Sequence, residues 1–177
     1  MTPDFSQDYF ALFGLPRAWR IDTARLDQAY HAMQGQVHPD RHAHLPETER
    51  RLSMQWATQV NEAYRTLKQP LARARYLLQL AGAQADHENN TVMPPEFLME
   101  QMELREAVAE ARATGRQGEL EKLLQRLEKQ AADIYGEIEH SLDAKKDYAT
   151  AADAVRRLMF MEKLQHEIEE ALEALEI

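Results

Sequence analysis

A chain of 177 residues without a single cysteine holds no disulfide, no thiolate metal site and no cysteine nucleophile of its own. Its hydrophobic content of 44% supports a sizeable core, and its net charge of −9 is unevenly placed: residues 1–81 sum to +2, residues 82–177 to −11. An acidic second half lacks the clustered cations that a nucleic-acid surface needs; its plain reading is a solubilising surface, its sharper one a partner-facing patch.

Gly and Pro are few, good helix formers dominate, and no stretch alternates apolar and polar residues over strand lengths. The expected fold class is all-α. No apolar run approaches the ~18 residues of a membrane span, and MTPDFSQDYF lacks the basic-then-apolar order of a signal peptide. The expectation is a cytoplasmic protein that does not engage a membrane.

In chain order, Asp8 to Leu15 reads as a short helix stopped by Gly14 and Pro16. Asp22 is a candidate N-cap for a second helix, whose Leu26, Tyr30, Met33 and Val37 recur at spacings of 4, 3 and 4 on one face. A loop from His38 to Pro46 follows, with Pro46 suited to the first turn of a third helix. Leu52, Trp56, Val60, Ala63, Tyr64 and Leu67 predict that helix's buried stripe, and the two long helices should pack antiparallel. Pro70 opens a fourth helix carrying Arg73, Tyr76, Leu77, Leu78 and Leu80, with Gly82 placed as its C′ glycine.

Residues 82–93 are small and polar and read as a linker between a domain at 1–81 and another at 94–177. Pro94-Pro95 restarts a helix with the stripe Phe97, Leu104, Val108 and Ala111, and Gly115 and Gly118 mark a turn. Leu120, Leu124, Leu127, Ala131, Ile134 and Ile138 make a packing seam. A last segment runs from Tyr148 through Ala152, Val155, Leu158, Leu164, Ile168, Leu172 and Leu175. Three such helices bury their faces together as a three-helix bundle.

The loop tripeptide His38-Pro39-Asp40 stands out. Pro39 fixes its own φ and pushes His38 out of the α region, so the loop is stiff and loses little entropy on docking. Asp40 offers two acceptor oxygens matched to an arginine fork on a partner. Alone, such a tripeptide reads as a helix terminator. His38, Asp40, His42 and His44 also alternate over seven residues as nitrogen and oxygen donors of the kind that bind zinc or nickel. Nothing nearby supplies a general base in a recognisable arrangement, so no metal and no cofactor is assigned.

The surroundings resemble a J-domain, the module by which co-chaperones activate DnaK-type ATPase chaperones. The resemblance rests on Asp8-Tyr9-Phe10 with Leu12-Phe13-Gly14-Leu15, on His38-Pro39-Asp40 at the matching distance, and on Asn61 to Leu67. Pro70 with Arg73 to Leu78 is similar to the HscB family in particular. Beyond the linker, Phe97 to Glu106, Ala151-Ala152-Asp153, Val155 to Leu158, Phe160 and Lys163-Leu164 look like that family's C-terminal bundle. The resemblance implies an N-terminal J-domain, an antiparallel helical hairpin with flanking helices, followed by a C-terminal three-helix bundle. It implies a co-chaperone, not an enzyme, that delivers an IscU-type iron–sulfur cluster scaffold protein to an HscA/DnaK-type chaperone and stimulates the chaperone's ATPase. The J-domain would dock the chaperone through His38, Pro39 and Asp40, aided by Arg41 and Arg25. The bundle would hold the scaffold through Leu98, Met99, Met102, Glu103, Glu106 and Phe160.

Two features qualify the match. Leu98, Met99 and Met102 lie off the stripe set by Phe97, Leu104 and Val108, and Phe160 lies roughly 200° around the helix from Leu158; off-stripe apolar residues are either exposed for a partner or cover another surface. J-domains usually present a basic face before the loop, whereas Gln34-Gly35-Gln36 carry no cation here. Arg41 would compensate, with weaker steering slowing association more than changing specificity. A purely structural helical adaptor is the competing reading, in which Asp40→Asn has no effect.

Overall fold

A computed structural model describes residues 4–37, 44, 46–83 and 93–175. Among them every regular element is helical, as expected. The chain divides into two compact units, Met1–Leu80 and Ala81–Ile177.

The first unit opens with α1 (Tyr9–Leu12), whose N-cap is Asp8: its Oδ1 accepts from the backbone N–H of Phe10 at 2.9 Å and of Ala11 at 3.0 Å. Gly14, at φ 63°, makes the left-handed turn that stops this helix, and Phe10, Phe13 and Leu15 turn inward. Asp22 caps α2 (Thr23–Val37) through the Arg25 N–H, 3.1 Å from Oδ1. Leu26 and Val37 of the expected stripe are buried, while Tyr30 and Met33 are half-buried.

The partner of α2 is α3 (Glu47–Lys68), which begins one residue after Pro46, so that proline stands at the cap and not inside the first turn. A polar seam joins them. The Tyr30 hydroxyl donates to Asn61 at 2.9 Å and accepts from Gln34 at 2.7 Å. Tyr64 and Lys68 both reach Asp27, at 2.9 and 2.7 Å, and the Tyr30 and Tyr64 rings stack at 3.9 Å. Pairing that climbs α3 while descending α2 makes the hairpin antiparallel. Val60, Ala63 and Leu67 are buried beneath it. Leu52, expected in the same stripe, is 40% exposed, two turns ahead of Val60; Trp56, one turn before Val60, is half-buried and meets Phe5 edge-on at 5.3 Å.

Helix α4 (Pro70–Leu80) closes the unit. Its Arg73 is buried, donates to the Leu67 carbonyl at 2.7 Å and lies over the Trp19 ring at 5.3 Å. The cation therefore satisfies a carbonyl orphaned at the end of α3. Tyr76 stacks on Tyr9 at 4.4 Å and accepts its backbone N–H. Gly82 has the positive φ (70°) expected of a C′ glycine.

The second unit is a three-helix bundle of α5 (Pro95–Ala113), α6 (Gln117–Glu139) and α7 (Tyr148–Leu175). Gly115, at φ 63°, turns the chain, whereas Gly118 lies inside α6. Leu120, Leu127, Ala131, Ile134 and Ile138 face Val155, Leu158, Met161, Leu164 and Ile168 across the core. Between α6 and α7 the helix widens into a π turn over His140–Lys145. Lys146 then takes the left-handed region at φ 53°, and Asp147 caps α7 by accepting the Thr150 N–H at 3.1 Å. Neither the widening nor the burial of Leu142 that it achieves was expected from periodicity.

Candidate partner-binding surfaces

Helix α5 carries apolar residues on two opposed faces. At about 100° per residue, Leu104, Val108 and Ala111 with Gln101 share one face, and Leu98, Met102 and Met99 share the other. The first set is buried. The second is open, with Leu98 42%, Met99 63% and Met102 62% exposed. Glu103 and Glu106 are exposed on the same face, so the patch is methionine-rich with an acidic border. An unbranched, polarisable side chain adapts its shape to a partner, and a contiguous exposed apolar patch is a candidate interaction surface.

Phe160 is on α7. It is half-buried, and its ring meets Phe97 edge-on at 6.2 Å and 71°. Phe97, assigned to the core stripe, is likewise half-buried because it shares this contact. The position that the stripe left empty is taken by Gln101, which is buried and whose Oε1 has no hydrogen-bond partner among the described residues. Its polarity hid it from a search for apolar periodicity.

Ion pairs flank this region. Glu100 Oε1 accepts from Arg126 at 3.1 Å and from Gln130 at 2.7 Å on α6. Arg105 lies 3.7 Å from Glu167 on α7. Deeper between α6 and α7, burial pushes the Glu162 carboxyl above its ordinary value, although the Tyr135 hydroxyl, 3.2 Å away, pulls it down. Burial works against the Arg157 cation, but Glu137 and Asp153 more than restore it.

In the first unit, Arg25 is on the exposed side of α2, where its guanidinium donates to the Gly14 carbonyl at 3.1 Å. His38, Pro39, Asp40, Arg41 and His42 lie outside the described residues. Among the described residues no group of three or more His, Asp or Glu side chains is arranged to hold a metal ion. No described helix is long and apolar enough to cross a membrane.

The chain is 61% identical to the co-chaperone protein HscB homolog of Aromatoleum aromaticum over 176 residues, covering 99% of both chains. The chain belongs to the HscB co-chaperone family. A family model described as the HSCB C-terminal oligomerisation domain matches residues 93–169. Among solved structures, HscB from Vibrio cholerae superposes with a TM-score of 0.85 at 36% identity, covering 96% of this chain and 99% of that one. The human co-chaperone HscB does so with a TM-score of 0.89 at 29% identity, covering 96% and 84%. The hairpin with its flanking helices is thus the J-domain of an HscB-type co-chaperone, and the bundle carrying the methionine patch is the helical C-terminal domain of that family.

Proposed function

We propose that this HscB-family chain is a two-ended adaptor without catalysis of its own. One end, His38, Pro39 and Asp40 with Arg41 and Arg25, docks an HscA/DnaK-type chaperone and stimulates its ATPase. The other end, Leu98, Met99, Met102, Glu103 and Glu106 with Phe160, holds an IscU-type scaffold protein of iron–sulfur cluster assembly. The cluster is cargo of the scaffold.

The single observation that carries the reading is the open apolar face of α5, opposite the face that packs. Leu98, Met99 and Met102 are 42–63% exposed, so a partner that covers them gains part of the about 1.5–3 kcal/mol that full burial of such a side chain gives, against the cost of association. Residues at the centre of such a patch dominate the affinity. Phe160 contributes differently: in contact with Phe97 it shapes the edge of the surface more than it projects from it.

The test is a pair of variants. Asp40→Asn abolishes ATPase stimulation and leaves scaffold affinity unchanged. Met99→Ala with Met102→Ala weakens scaffold binding at least about tenfold, as central residues do, and leaves scaffold-independent stimulation intact. Phe160→Ala is a poorer probe, because it also removes a packing contact; circular dichroism must accompany it. Loss of one and the same activity in both variants contradicts the division.

A further inference from the structure

A helix with apolar residues on two opposed faces does not specify its own roll: rotation trades one apolar edge against the other. The buried face of α5 is also a weak determinant, since it holds the polar Gln101, whose Oε1 has no hydrogen-bond partner among the described residues, beside Leu104, Val108 and the small Ala111. What borders that face is polar and paired on both sides. By helical position Glu100 falls between the open patch and the core on the α6 side, and Arg105 falls between them on the α7 side. Each is tied outward, Glu100 to Arg126 and Gln130, and Arg105 to Glu167.

We infer that Glu100 and Arg105 are positioning residues, a pair of stays on opposite flanks that fix the roll of α5 and so aim Met99 and Met102 into solvent. Rotation in either direction stretches one stay while compressing the other, so together they resist both senses of roll where either alone resists one. Exposed ion pairs are individually weak. Their placement matters here because small rolls cost the apolar faces little. The aim of the patch is a property of the free protein; its consequence for the scaffold rests on the function proposed above.

Methionine oxidation by hydrogen peroxide on the full chain, read residue by residue by mass spectrometry, tests the roll without any partner. Met99 and Met102 lie about 60° apart on the helix, so a roll shields one as it opens the other. In Glu100→Ala with Arg105→Ala, the Met99-to-Met102 rate ratio shifts about two- to fivefold, the range that exposed ion pairs permit. Met161, 2% exposed, stays slow, and the exposed Met54 of the other unit keeps its rate. The charge-swapped Glu100→Arg with Arg126→Glu returns the ratio towards wild type. Should the double alanine variant not fold, Arg126→Ala alone is read by the same ratio. An unchanged ratio in a folded variant overturns the proposal, as does a parallel rise at Met99, Met102 and Met161, which is general loosening. A shifted ratio with unchanged scaffold affinity leaves the stays standing and removes the scaffold from the patch.

Discussion

Gly35 sits inside α2, three residues before His38, at an exposed position where an added Cβ meets nothing within 4 Å. Nothing in its surroundings requires glycine, so Gly35→Ala should raise stability by about 0.5–1 kcal/mol by removing backbone freedom from the unfolded chain; urea denaturation followed at 222 nm measures it. Asp8 behaves oppositely. Its partial burial raises the carboxyl, but Arg17 at 2.6 Å and the two backbone N–H groups of α1 outweigh this and hold it below its ordinary value. A lowered folded value means that Asp8 contributes stability above the usual carboxylate range and loses it as pH falls below about 3.8. Asp8→Ala should cost about 1 kcal/mol at neutral pH, with the difference vanishing in acid. Glu162 has the other sign: raised by burial, it costs stability as pH rises through its folded value. Glu162→Gln should therefore gain stability at pH 7.5 relative to wild type and not at pH 4, read from urea midpoints.

At the scale of elements, helices were legible wherever one face alone is apolar. The seams of α6 and α7 follow periodicity, and Asp22, Gly14, Gly82 and Gly115 punctuate the chain as their backbone chemistry dictates. Periodicity fails where polar groups pack. Arg73 is buried because it caps the end of α3, and Gln101 because the stripe of α5 needs a residue there; neither leaves an apolar signal. The seam Tyr30–Asn61–Gln34 with Asp27–Tyr64–Lys68 joins residues more than thirty apart in sequence, which no local pattern reports. The π turn at His140–Lys145 escaped for a related reason: it shifts the helical phase by a fraction of a turn, and a stripe read on either side looks unbroken. The open patch on α5 was legible because it departs from its own helix's stripe. Arg73→Ala should cost about 1–3 kcal/mol, the penalty for leaving the Leu67 carbonyl buried and unpaired, measured by denaturation of the full chain against wild type.

For the whole molecule, the proposed division of labour sets the tripeptide His38-Pro39-Asp40, read from the sequence, against the exposed apolar patch bordered by acids on the bundle of the second unit. An adaptor requires that these act independently, because its use lies in holding two partners at once. The most direct measurement is the steady-state ATPase rate of an HscA-type chaperone, titrated with wild type, Asp40→Asn, or Met99→Ala with Met102→Ala, each with and without an IscU-type scaffold. The adaptor account predicts that Asp40→Asn stimulates in neither condition, while the methionine variant stimulates alone as wild type does and loses only the increment that the scaffold adds. Undiminished stimulation by Asp40→Asn, or loss of the scaffold-independent component in the methionine variant, would contradict it.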